Sequence, residues 1–192
     1  MARGEMRGLF RSTEGVAIAE FAISLPLLLV LVVGIFDFGK AFNVKQKVTG
    51  AAREGARFAA SMPTNDLYNG GTPQSVNAIR DTVDSYLQAE KINDCGLAGQ
   101  AGTPVGGSNS LKWQYTAAGS GCPGTLTLVI ARSYSFTTAV SGQTLNIIST
   151  QVTLQYPYTW QFNRVIGFVA SGSTYANGVT LIKADAVVPN ID

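Results

Sequence analysis

The pattern of apolar and polar positions divides the chain into three kinds of segment. Met1 to Gly15 is polar, with Arg3, Arg7 and Arg11 set against Glu5 and Glu14. Val16 to Phe36, VAIAEFAISLPLLLVLVVGIF, is then almost wholly apolar. As a helix this run is about 30 Å long, the thickness of a bilayer's hydrocarbon core. It is longer than a secretory signal's apolar stretch, and Asp37-Phe38-Gly39-Lys40 follows it where a small-x-small cleavage site would stand. Asp37 to Ser61 continues without proline. Ala41, Val44, Val48, Ala51, Gly55 and Ala59 recur every three or four residues, which predicts one helix from Val16 to Ser61 roughly 70 Å long. A stripe of small residues lets helix backbones approach closely. Its partner is either this chain's own globular part or another subunit.

Met62-Pro63 ends that helix, and a polar turn runs through Asn69-Gly70-Gly71. Thr72-Pro73 reads as an N-cap with proline at the first helical position. Val76, Ile79, Val83, Tyr86 and Leu87 mark the apolar face of a second helix ending near Glu90, with Asp81 and Asp84 on its solvated side. Gly96 to Asn109 is a Gly/Ser-rich loop. Beyond it the period changes to two. Thr125 to Ile130 and Gln151 to Tyr158 alternate as strands, and Trp113 to Ala117 and Val179 to Val187 read as two more. Phe162, Val165, Ile166 and Val169 have the spacing of a short helical turn. The expected fold is α+β: a long N-terminal transmembrane and stalk helix, a short second helix and a small antiparallel sheet of about four strands.

Composition removes several functions. A net charge of +2 over 192 residues is too weak for a nucleic-acid binder. Histidine is absent, which takes away the commonest general base and metal ligand. No Asp or Glu lies between Cys95 and Ala184, so the sheet region has no carboxylate pair for catalysis and no ligands for a hard cation. Neither an enzyme activity nor a cofactor or metal is expected. Cys95 and Cys122 fit no zinc or redox spacing. They allow one intramolecular disulfide, closing a loop of about 28 residues worth roughly 3–4 kcal/mol in the chain-entropy treatment, and only in an oxidising space such as the periplasm. Positive charge does not settle orientation. Arg3, Arg7 and Arg11 precede the span, and Lys40, Lys45, Lys47, Arg53 and Arg57 follow it closely.

One residue in the apolar run calls for a reason. A charge in a span costs ~3 kcal/mol on insertion scales, less near the interface, and Glu20 lies five residues beyond Gly15. Gly15 is a small residue at the junction of the polar leader and the apolar run, where a protease at the cytoplasmic face can reach the backbone. A cut between Gly15 and Val16 makes Glu20 the fifth residue of the new chain. Its carboxylate can then neutralise the terminal amine of a neighbouring copy, which makes Glu20, with Phe21 beside it, a register device for assembly. Pro26 removes one backbone hydrogen bond from the span; it is either tolerated or a site of local bending.

The stretch Gly15 to Ala60 resembles type IV pilin-like precursors, and more closely the TadE-like family of pseudopilins from tight-adherence (Flp-type) pilus systems. The pieces that carry the resemblance are Gly15-x4-Glu20, Glu20-Phe21-Ala22, Leu25-Pro26-Leu27, Phe36-Asp37-Phe38-Gly39-Lys40-Ala41 and Ala51-Ala52-Arg53-Glu54-Gly55-Ala56-Arg57. The resemblance implies a non-catalytic component of pilus biogenesis, cleaved by a prepilin peptidase. Residues 1–15 would be a cytoplasmic leader, 16–61 the transmembrane and stalk helix, and 62–192 an extracytoplasmic domain. It implies a single-pass protein of the bacterial inner membrane, with its N-terminus cytoplasmic and its C-terminal domain periplasmic, or incorporated in the pilus. Its implied partners are the peptidase, other pilin or pseudopilin subunits, the inner-membrane assembly machinery and membrane lipid. The alternative is an anchored extracytoplasmic module for adhesion or recognition, which exposed aromatics around Tyr156, Tyr158 and Trp160 would support.

Overall fold

In the computed structural model, residues 13–68, 71–107, 110–119, 121–140, 142–162 and 178–190 are described. Helix α1 runs over Thr13–Ala60 and passes through Pro26. Helix α2 covers Gln74–Ala89. Five strands follow: β1 Thr103–Pro104, β2 Lys112–Ala117, β3 Leu126–Val140, β4 Gln143–Thr159 and β5 Val179–Pro189. They form one antiparallel sheet in the order β1-β2-β3-β4-β5, so every neighbour in the sheet is a neighbour in sequence. The layout is α+β, as the periodicity predicts. The short turn expected around Phe162 to Val169 lies almost wholly outside the described residues.

The described residues divide into two compact units. One belongs to Met1–Lys40 and Gln161–Gly178, the other to Ala41–Trp160 and Val179–Asp192. Helix α1 contributes to both.

The larger unit has a single core. From α1 it takes Val48, Ala51, Ala52, Ala56 and Ala59; from α2, Val76, Ile79, Val83 and Leu87; from the sheet, Tyr115, Leu128, Ile130, Val152 and Leu154 among others. The small-residue stripe therefore packs on this chain's own domain. Gly55 shows why the residues are small: a Cβ there would lie 2.5 Å from Val83 Cγ2 and 3.6 Å from Val152 Cγ1. Real Cβ atoms do not come within 2.5 Å of a neighbouring carbon, so a side chain at this position would push α1 away from α2.

Two local expectations fail for tertiary reasons. Thr72 does not cap α2. Its hydroxyl donates to the Gly102 carbonyl at 2.7 Å, Pro73 takes the cap position, and Asp66 accepts the Ser75 N–H instead at 2.8 Å. A carboxylate brought in from the preceding turn thus does what the adjacent hydroxyl was expected to do. Asp84 is not solvated but buried beside Gln88 and Asp94. Burial, then the neighbouring Asp94, push its carboxyl up to about 6. A carboxyl raised in the folded state favours folding below its ordinary value near 4, and this contribution is lost as pH rises through about 6. Asp84→Asn is expected to gain about 1–2 kcal/mol at pH 7.5 and nothing near pH 4. Urea unfolding of wild type and variant at both pH values checks this; an equal difference at the two would contradict it.

The sheet exceeds the expectation from periodicity in two ways. β1 is a two-residue strand inside the Gly/Ser-rich loop, pairing Thr103 with Gln114. β3 and β4 also run on past the core into a long hairpin, from Tyr134 opposite Ser149 to Val140 opposite Gln143. Residues 133 to 163 carry no charge, and polar Ser, Thr and Asn dilute the alternation, which hides the hairpin from a periodicity search. The register shifts between Ala131 and Tyr134. In that irregularity sits Arg132, almost fully buried. Its Nη1 donates to the carbonyl of Ala59, and its Nη2 to those of Met62 at 2.8 Å and Pro63 at 3.3 Å. The end of a helix leaves carbonyls short of donors; Arg132 adds one to Ala59, which also accepts the Met62 N–H at 3.1 Å, and serves the two carbonyls just beyond α1.

Candidate functional site

The N-terminal half of α1 is unlike the rest of the protein. Ile18, Ile23 and Leu27 are 70%, 79% and 77% exposed, and every described side chain from Gly15 to Leu29 is exposed. The most apolar window of this helix has a mean hydropathy of 2.6, with none of it buried. Soluble surfaces rarely expose a continuous apolar patch of this extent. The helix is long and apolar enough to cross a membrane.

Glu20 and Phe21 lie on this exposed surface. The backbone carbonyl of Glu20 accepts the Ser24 hydroxyl, while the Glu20 side chain projects outward. Gly15 and Val16 are both within α1, which starts at Thr13. Pro26 has no N–H to give the carbonyl of Ala22, one turn earlier.

At the other end of the apolar run stands a residue to which sequence reasoning gives no role. Asp37 is fully buried. Its Oδ1 accepts the backbone N–H of Gln161 at 3.0 Å and its Oδ2 that of Phe162 at 3.2 Å. One turn on, Lys40 donates through Nζ to the Gln161 side-chain oxygen. A charge closing an apolar run is visible in sequence. Its partners, more than a hundred residues later, are not.

Cys95 and Cys122 form a disulfide with their Cα atoms 5.5 Å apart. The Cys95 N–H donates to Asn93 Oδ1 at 2.9 Å, and its carbonyl accepts the Gly119 N–H at 2.8 Å. A Cβ at Gly119 would come 2.5 Å from that carbonyl, so glycine is what lets the two loops meet. Tyr156 and Tyr158 are buried, and the half-buried Trp160 donates from Nε1 to Thr180 Oγ1 at 2.7 Å. These aromatics build the wall of the domain rather than a projecting recognition surface. Among the described residues no His, Cys, Asp or Glu cluster is arranged to hold a metal ion.

Residues 15–57 match the family model for TadE-like protein. The N-terminal segment is TadE-like. No curated protein sequence and no solved structure matches the chain. The TadE-like segment begins at Gly15, contains the whole apolar run with Glu20 and, at its end, Asp37, and ends within the part of α1 that packs into the core. The matched residues therefore join two physically different stretches: one built for an apolar surrounding, the other for the chain's own domain.

Proposed function

We propose that this protein is a non-catalytic, membrane-anchored pseudopilin that serves in the assembly or structure of a tight-adherence pilus. The supporting observation is the coincidence of the TadE-like segment with an apolar helix whose most apolar window is not buried. The TadE-like family is associated with such pilus systems and is not known for catalysis. In this reading residues 1–15 form a cytoplasmic leader, 16–61 the span and stalk, and 62–192 a domain on the periplasmic side. The Cys95–Cys122 bond agrees with that side, because disulfides persist in oxidising spaces. A prepilin peptidase cuts between Gly15 and Val16, and Glu20 sets register by pairing with the new amine of an adjacent subunit.

The reading is tested by intact-mass measurement of the protein from native membranes, which should show a chain starting at Val16. Glu20→Ala should keep normal membrane levels, since it makes the span more apolar, while pilus output falls at least tenfold. An uncut chain in cells that carry the peptidase would remove the processing step. Unchanged piliation in the variant would remove the role of Glu20.

A further inference from the structure

We propose that the corner at Gln161–Phe162 rests in the headgroup layer of the bilayer, at the outer end of the span, and that Asp37 is the positioning residue that holds it there. This inference rests on the reading of α1 as a membrane anchor and concerns the smaller unit alone.

Depth comes first. If Val16–Phe36 fills the hydrocarbon core, Asp37 stands at its edge. The pattern of exposure around it is one-sided. Val30, Val33 and Gly34 are half-buried and Asp37 fully buried, at the spacing of one helix face. Phe36 and Phe38, on the flanks, are 63% and 59% exposed. One face of the last two turns of the apolar run is thus withdrawn from its surroundings, while the flanks stay open to lipid. The shielding begins about 9 Å inside the apolar run, counted from Phe36 back to Val30 at about 1.5 Å per residue.

The chemistry of the corner fits that depth. A carboxylate withdrawn from water is costly unless its oxygens receive donors. Backbone N–H groups near the hydrocarbon are costly unless they find acceptors. Asp37 and the two amides of Gln161 and Phe162 solve both problems together, each oxygen taking one N–H. Lys40 adds a donor to the Gln161 side chain on the water side of Asp37. An irregular backbone corner can lie at this level because Asp37 supplies the acceptors that water would otherwise provide. Without them the corner must move out to water.

The experiment uses the full chain in vesicles of phosphatidylethanolamine and phosphatidylglycerol. Nitroxide labels are placed one at a time through Leu28→Cys, Gln161→Cys and Asp81→Cys, with the native disulfide intact. Collision with oxygen and with a water-soluble nickel chelate reports depth. The label at position 28 should sit in lipid and that at 81 in water. The label at 161 should be at least fivefold less accessible to nickel than that at 81. Asp37→Ala should return the 161 label to the aqueous value and leave the label at 28 unchanged. Asp37→Asn, which keeps the shape and one acceptor oxygen, should give a smaller shift, and it serves if the alanine variant does not fold. A 161 label as exposed as that at 81, with position 28 in lipid, would overturn this inference and leave the anchor standing. An unmoved 161 label in both variants would overturn the role of Asp37. Water around position 28 would overturn the anchor and this inference with it.

Discussion

Arg132→Ala is expected to destabilise the larger unit by about 3–5 kcal/mol, at the upper end of what a single substitution does to a fold. The carbonyls of Met62 and Pro63 lose the guanidinium as donor, and that of Ala59 keeps only the Met62 N–H at 3.1 Å. The site is too buried for water to replace the guanidinium without rearrangement, and the vacated volume adds a cavity. In thermal unfolding of the full chain in detergent, Tm should fall by about 10–15 °C. Arg132→Lys separates charge from shape. An ammonium keeps the charge but cannot fork to carbonyls from two turns of chain, so it should recover only part of the loss. A fall of less than about 1 kcal/mol in the alanine variant would show that water caps the helix as well as arginine does.

Removing the disulfide should cost nearly as much. The bond joins residues separated by 27 positions, and freeing them returns roughly 3–4 kcal/mol of entropy to the unfolded chain. The double variant Cys95→Ser, Cys122→Ser should therefore unfold at clearly lower urea than wild type. Reductant should lower the wild-type midpoint towards that of the variant and leave the variant's midpoint where it is. A reductant effect of equal size on both would mean that something other than this bond is responsible. Since Cys95 lies in the core cluster and Cys122 packs against it, loss should be felt first where the end of α2 meets the start of the sheet.

Much of this architecture is legible in the amino-acid sequence, because local periodicity dictates it. The apolar run, the long helix and the break at Met62-Pro63 follow from helical spacing and from proline's chemistry. Strands at Trp113, Leu126, Val152 and Val179 follow from alternation. The disulfide pairing follows from there being only two cysteines. The β3–β4 hairpin escapes because its faces are not sharply divided: Ile148 is 59% exposed on one side and Leu145 47% on the other. Asp84 reads as solvated because its position on the helix gives no hint that Asp94 and the following turn close over it.

By itself the sequence determined that one stretch of about twenty residues requires an apolar surrounding, that the remainder forms an α+β domain, and that histidine- or carboxylate-based chemistry has little to work with. The physical reason is that hydrophobic period and composition act locally, within a few turns or a few strand residues. What covers the small-residue stripe, what Asp37 holds and what closes the end of α1 were decided only by tertiary structure. Each depends on a polar group or a packing surface whose partner lies far away in sequence. Asp37 meets Gln161 across 124 positions, and Arg132 reaches Ala59 across 73. No period encodes such pairs. They exist because a buried carboxylate must find donors, and a buried helix end must find one too, wherever the fold brings them.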